Sequence, residues 1–67
     1  MISYDPLWET MKRVGATTYT LQAKGLIGSS TIRRLKDNDS VSTNTLDALC
    51  KILECNLDDI IRYTPDP

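Results

Sequence analysis

The sequence predicts an all-α fold of five short helices. Three observations carry this. Apolar residues recur at helical spacing in most segments between turn signals, as at Leu46, Leu49, Cys50 and Leu53. Helix-starting residues stand just before those segments: Asp5–Pro6, Thr17 or Thr18, Ser42 or Thr43, and Asn56. Glycine, proline or a cluster of Asp, Asn and Ser punctuates the gaps. The 67 residues suit one domain, 1–67, with one small core.

The first helix is expected over 6–13. Asp5 is placed as its N-cap and Pro6 at its first position. Leu7, Met11 and Val14 share a face, with Trp8 and Tyr4 at its edge, and Gly15 supplies a stop. Thr17 or Thr18 caps a second helix that runs to about residue 24. Leu21 is its clearest inward residue, with Tyr19 and Ala23 flanking. Gly25 and Gly28 bracket Leu26 and Ile27, a tight turn with an apolar plug.

A third helix is expected over 29–36. At about 100° per residue, Ile32 and Leu35 point one way, with Thr31 at the margin. Ser29, Ser30, Arg33 and Arg34 point the other way. Residues 37–40, DNDS, form a loop. A fourth helix starts at Ser42 or Thr43, and a fifth covers about 57–62, where Asp58 and Asp59 suit the positive end of the helix dipole. Ile60 and Ile61 face inward. Around Ile2 and Arg62 the ends of the chain offer at most a short terminal strand pair.

Charge is sorted along the chain. Residues 1–11 carry Asp5 and Glu9. Residues 12–36 carry Lys12, Arg13, Lys24, Arg33, Arg34 and Lys36, and no acid. Residues 37–67 carry seven acids against Lys51 and Arg62, so a net charge of −1 conceals a concentrated basic segment. Such a segment repels itself and calls for a counterpart, of which nucleic acid phosphate is the commonest.

Other functions find little support. The chain has no His, so no Ser–His or Cys–His nucleophile pair can form, and its carboxylates are scattered. No enzyme activity, cofactor or small-molecule ligand is expected. Cys50 and Cys55, five apart, read as reduced thiols on different sides of a helix, not as a metal site. No segment approaches the roughly 18 apolar residues of a membrane span, and the N-terminus lacks signal-peptide features, so a cytoplasmic location is expected.

The segment from Thr18 to Leu35, "TYTLQAKGLIGSSTIRRL", resembles the core of a Cro/C1-type helix-turn-helix domain, with Leu21, Ile27, Ile32 and Leu35 at the family's main apolar positions. The segment "SVSTNTLDALCKILECNLDDIIRYTPD" is similar to the fourth and fifth helices of short members. The resemblance implies a five-helix, lambda-repressor-like fold whose helix-turn-helix core is 18–36. Three positions depart from the usual pattern. Gln22 stands where the family often has Ala, Leu26 where it often has Gly, and Gly28 where Ser commonly caps the recognition helix.

The resemblance further implies that the third helix enters the major groove of a double-stranded operator, the protein acting as a transcriptional regulator and most simply a repressor. Carried over, Ser29, Ser30, Arg33 and Arg34 read bases. Thr17, Thr18, Thr31, Lys36, Asn38, Ser42 and Thr43 contact phosphates, although Thr17 and Ser42 also suit a purely capping role. Lys12 and Lys24 add longer-range attraction, while Asp37 and Asp39 oppose it. A homodimer on DNA is expected, because one short helix reads few base pairs; Ile2, Trp8, Ile61 and Tyr63 offer surface for it. The alternative is a protein-binding module, antitoxin-like or an adaptor, on the same fold.

Overall fold

The computed structural model describes residues 1–25 and 27–66. In chain order these form strand β1 (Ile2–Ser3), helices α1 (Asp5–Val14), α2 (Thr18–Gly25), α3 (Ser29–Lys36) and α4 (Thr43–Leu53), a 3₁₀ turn at Leu57–Asp59, and strand β2 (Arg62–Tyr63). Among these residues no helix is long and apolar enough to cross a membrane.

The core is built from one or two apolar residues of each α-helix, with Tyr4, Ile27 and Ile60 from the segments beside them. Leu7, Leu21, Leu35, Leu49 and Ile60 are fully buried, with Tyr4, Met11, Ile27, Ile32 and Leu53 nearly so. Full burial of one such aliphatic side chain is worth about 1.5–3 kcal/mol. α2 packs chiefly on α4, while the 3₁₀ turn packs on α1 and α4. The expected stripe of α4 divides by depth: Leu49 and Leu53 are buried, and Leu46 and Cys50 are half-buried against them.

Several expectations need correction. α1 begins one residue early, at Asp5, so Asp5 lies in the first turn and is not its cap. Tyr4 holds the N-cap position without a side-chain capping bond, its ring being buried in the core. Val14 is half exposed, past the inward packing and just before Gly15 turns the chain with φ 73°. On α2 only Leu21 is buried; Tyr19 and Ala23 face solvent. Leu26 lies outside the described residues.

The expected fifth helix is a single 3₁₀ turn, so the described residues hold four α-helices. Asp59 Oδ2 accepts the Asn56 N–H at 3.1 Å and starts the turn. Residues beyond Ile61 turn their backbone groups to β1 instead of a helix. Ile2 pairs with Tyr63 and Ser3 with Arg62, antiparallel, and the Thr64 N–H reaches Met1 O at 2.9 Å. Pro65 could not have continued a helix in any case. The terminal strand pair thus forms where expected.

The cysteines also differ from expectation. α4 ends in a left-handed residue, Glu54 at φ 52°, and the Cys55 N–H donates to Cys50 O at 3.1 Å. This six-to-one closure sets the side chains of its first and last residues together. Cys50 and Cys55 are therefore half-buried free thiols, and Cys55 lies past the end of α4, not on another side of it.

Candidate nucleic-acid interface

α3 matches its expected limits, Ser29–Lys36. Ile32 and Leu35 are buried and anchor it, while Thr31 is half-buried. Ser29, Ser30, Arg33, Arg34 and Lys36 are exposed. Gly28 occupies the N-cap with extended backbone and no side chain to cap with. Its carbonyl accepts the Ile32 N–H at 3.1 Å. The first turn of an α-helix presents N–H groups without intrahelical acceptors, a setting that favours anions.

Shallow clefts flank this face. One, between α2 and α3, is lined by Thr18, Gln22, Ser29, Arg33 and Lys36. Another, between α3 and the start of α4, is lined by Thr31, Arg34, Ser40, Ser42 and Thr45. The structure thus brings Thr18, Thr31, Lys36 and Ser42 beside the four outward residues of α3. Thr43 is exposed in the first turn of α4, and Asn38 is exposed in the preceding loop.

Two of the expected phosphate ligands have structural work as well. Ser42 Oγ accepts the Thr45 N–H at 3.2 Å and caps α4. Thr17 Oγ1 accepts the Thr20 N–H at 3.4 Å, and Thr20 Oγ1 accepts the Thr17 N–H at 3.2 Å, closing the start of α2 reciprocally. A hydroxyl that accepts such a bond still has its own proton to donate.

Gln22 and Thr45 border the face without having been expected there. Their signals were present: Gln22 follows Thr18 by one helical turn, and Thr45 stands three residues after the Ser42 cap.

The basic segment is not one patch. Arg13 lies 3.9 Å from Asp59, and Lys24 borders a separate depression with Ile52 and Glu54 at the α2–α4 seam. Among the described residues Arg33, Arg34 and Lys36 make no ion pair, and Asp37 and Asp39 border the cleft that holds the two arginines.

Comparison with known proteins identifies the family and the fold. The family model described as Cro/C1-type HTH DNA-binding domain matches residues 6–66. The crystal structure of transcriptional regulator VanUg, form II, is similar with a TM-score of 0.88 and 31% identity, over 97% of this chain and 87% of that one. No curated protein sequence matches. With nearly its whole length inside the family model, the chain belongs to the Cro/C1-type helix-turn-helix DNA-binding domain family.

Proposed function

We propose that the protein is a non-enzymatic transcriptional regulator that binds double-stranded DNA sequence-specifically and represses by occupying promoter DNA. The observation that carries this is the outward face of α3: two serines and two arginines, exposed and, among the described residues, in no ion pair, on a helix fixed by Ile32 and Leu35. An α-helix with its side chains is about 10–12 Å across, and the major groove is about 12 Å wide. In this reading α3 lies in that groove. Arg33 and Arg34 reach base edges, with a preference for G, whose O6 and N7 match the guanidinium fork. Ser29 and Ser30 read more permissively.

Thr17, Thr18, Thr31, Lys36, Asn38, Ser42 and Thr43 supply phosphate contacts that set position without reading sequence. Two copies bind half-sites about 34 Å apart on a palindrome. Ile2 and Tyr63, paired across the terminal strands and both exposed, are the apolar surface for that dimer. The similarity to the transcriptional regulator VanUg supports the regulatory role.

The test is selection from a random duplex library at two salt concentrations, followed by titration. The wild type should enrich a G-containing motif, with affinity falling steeply as salt rises. Arg33→Ala with Arg34→Ala should abolish enrichment, each arginine being worth about 1–3 kcal/mol of discrimination. Sequence-blind binding that the double variant leaves unchanged would refute the reading and favour a protein partner.

A further inference from the structure

Tyr4 lies outside the helix-turn-helix pair, yet it is wired to α3. Its ring is 4% exposed. A buried tyrosine hydroxyl needs a partner, and Tyr4 Oη donates to Asp39 O at 2.6 Å. The same residue's N–H donates in turn to Arg34 O at 2.8 Å. The Asp37 N–H reaches Arg33 O at 3.0 Å and the Asn38 N–H reaches Leu35 O at 3.4 Å. The loop after α3 therefore closes the end of that helix with three successive amides, and Tyr4 holds the loop from the core side.

A second bond strengthens the clamp. Tyr4 N–H donates to Asn38 Oδ1 at 3.1 Å. A backbone N–H can only donate, so it must face the amide oxygen of Asn38. The Asn38 amide nitrogen faces away, and among the described residues it makes no hydrogen bond. Asn38 itself sits at φ 57°, a conformation that Asn tolerates better than most residues. The clamp thus fixes both the end of the helix that carries Arg34 and the direction of the Asn38 donor.

We infer that Tyr4 is a positioning residue for DNA recognition, acting through Asp39 on the backbone of Arg34. The inference rests on the DNA-binding reading above. It extends the recognition apparatus to a residue before α1 that makes no DNA contact itself.

The test uses Tyr4→Phe, which keeps the buried ring and removes only the hydroxyl. Affinity is measured for the duplex selected by the wild type and for a random-sequence duplex, at a temperature where circular dichroism shows both proteins folded. A positioning role predicts a loss of about 3- to 10-fold on the selected duplex, the worth of one hydrogen bond. Affinity for the random duplex stays unchanged, and the loss of preference falls at the base that Arg34→Ala also relaxes. A role in stability alone lowers the melting temperature and leaves the ratio of the two affinities intact, which overturns the assignment.

Amide exchange in the wild type gives a readout independent of the variant. The Asp39 N–H should exchange as slowly as the interior of α3, and exchange at the rate of an open loop overturns the relay. A wild type that enriches no motif is a different failure, which removes the DNA reading and this assignment together.

Discussion

Gly25 of α2 packs closely against Ile52 of α4, and Gly25→Ala tests whether that approach is needed. A Cβ at this position would stand 2.0 Å from Ile52 Cδ1, 3.1 Å from Ile52 Cγ1 and 3.4 Å from Ile27 Cγ1. The backbone is no obstacle, since Gly25 ends α2 without a left-handed φ. Alanine even gains up to about 1 kcal/mol of helix propensity. Against this, Ile52 Cδ1 has to withdraw by roughly 1.5 Å to reach ordinary carbon–carbon contact. Ile52 is β-branched and its χ1 is nearly fixed in a helix, so χ2 alone turns freely. The Cγ1 contact does not yield to χ2. Inserting a methyl into such a seam costs about 1–3 kcal/mol. Net destabilisation of about 1 kcal/mol is therefore expected, a fall in melting temperature of about 4–8 °C.

The assay is thermal and urea denaturation of four proteins: wild type, Gly25→Ala, Ile52→Val and the double variant. Ile52→Val deletes Cδ1, the atom in the 2.0 Å overlap, and keeps Cγ1. In that background Gly25→Ala should become nearly neutral, a coupling of about 1 kcal/mol. Strictly additive effects, or a Gly25→Ala protein more stable than wild type, would refute the steric account.

Two further predictions follow from charge and ionisation. Burial pushes the Cys55 thiol above its ordinary range, and the adjacent Cys50 adds to this. The folded state therefore favours the protonated thiol. That stability is complete below the unfolded thiol's pKa and is lost as pH rises through the folded one, so melts should weaken on the alkaline side, and Cys55 should alkylate more slowly at pH 8 than in urea; equal rates would contradict it. Asp37→Asn with Asp39→Asn should raise affinity for all DNA sequences about 5-fold at low salt, as two charges roughly 7 Å from phosphate imply. The gain should shrink as salt rises while the melting temperature stays put; unchanged affinity would place these carboxylates away from the DNA.

The helices were legible where a local rule and the core agreed. α3 matches its expected limits because Ile32 and Leu35 fall on one face and the loop at 37–40 cannot continue a helix. α4 was legible for the same reason, with the Ser42 cap in place. The fifth helix was misread because Leu57–Asp59 carries helix-start chemistry, while the next residues are claimed by a strand 60 positions away in sequence. Periodicity does not see such a partner. The cysteine pair was misread for a local reason: the pattern was carried past Leu53, and no glycine marks the left-handed turn at Glu54. Within the candidate site, exposure of Ser29, Ser30, Arg33 and Arg34 followed from spacing alone. Tyr4 did not, because its bonds to Asn38 and Asp39 are tertiary.

The charge distribution explains how a chain of net −1 can present a cationic face. At physiological salt a charge is felt over about 8 Å, whereas the molecule is 38 Å along its longest axis. Net charge is thus a poor guide to what a ligand at one face meets. Several acids are also engaged close to home: Asp47 with Lys51 at 2.9 Å, Asp59 with Arg13, and Asp66 with the Met1 ammonium at 3.2 Å. Asp37 and Asp39 are not engaged in this way, although both border the cleft that holds Arg33 and Arg34. Their backbone amides close α3, but among the described residues their carboxylates form no ion pair. Any residue with an N–H could close the helix, so the two carboxylates add nothing to that closure. Their physical effect lies at the surface, where they temper the arginines' attraction for any phosphate backbone.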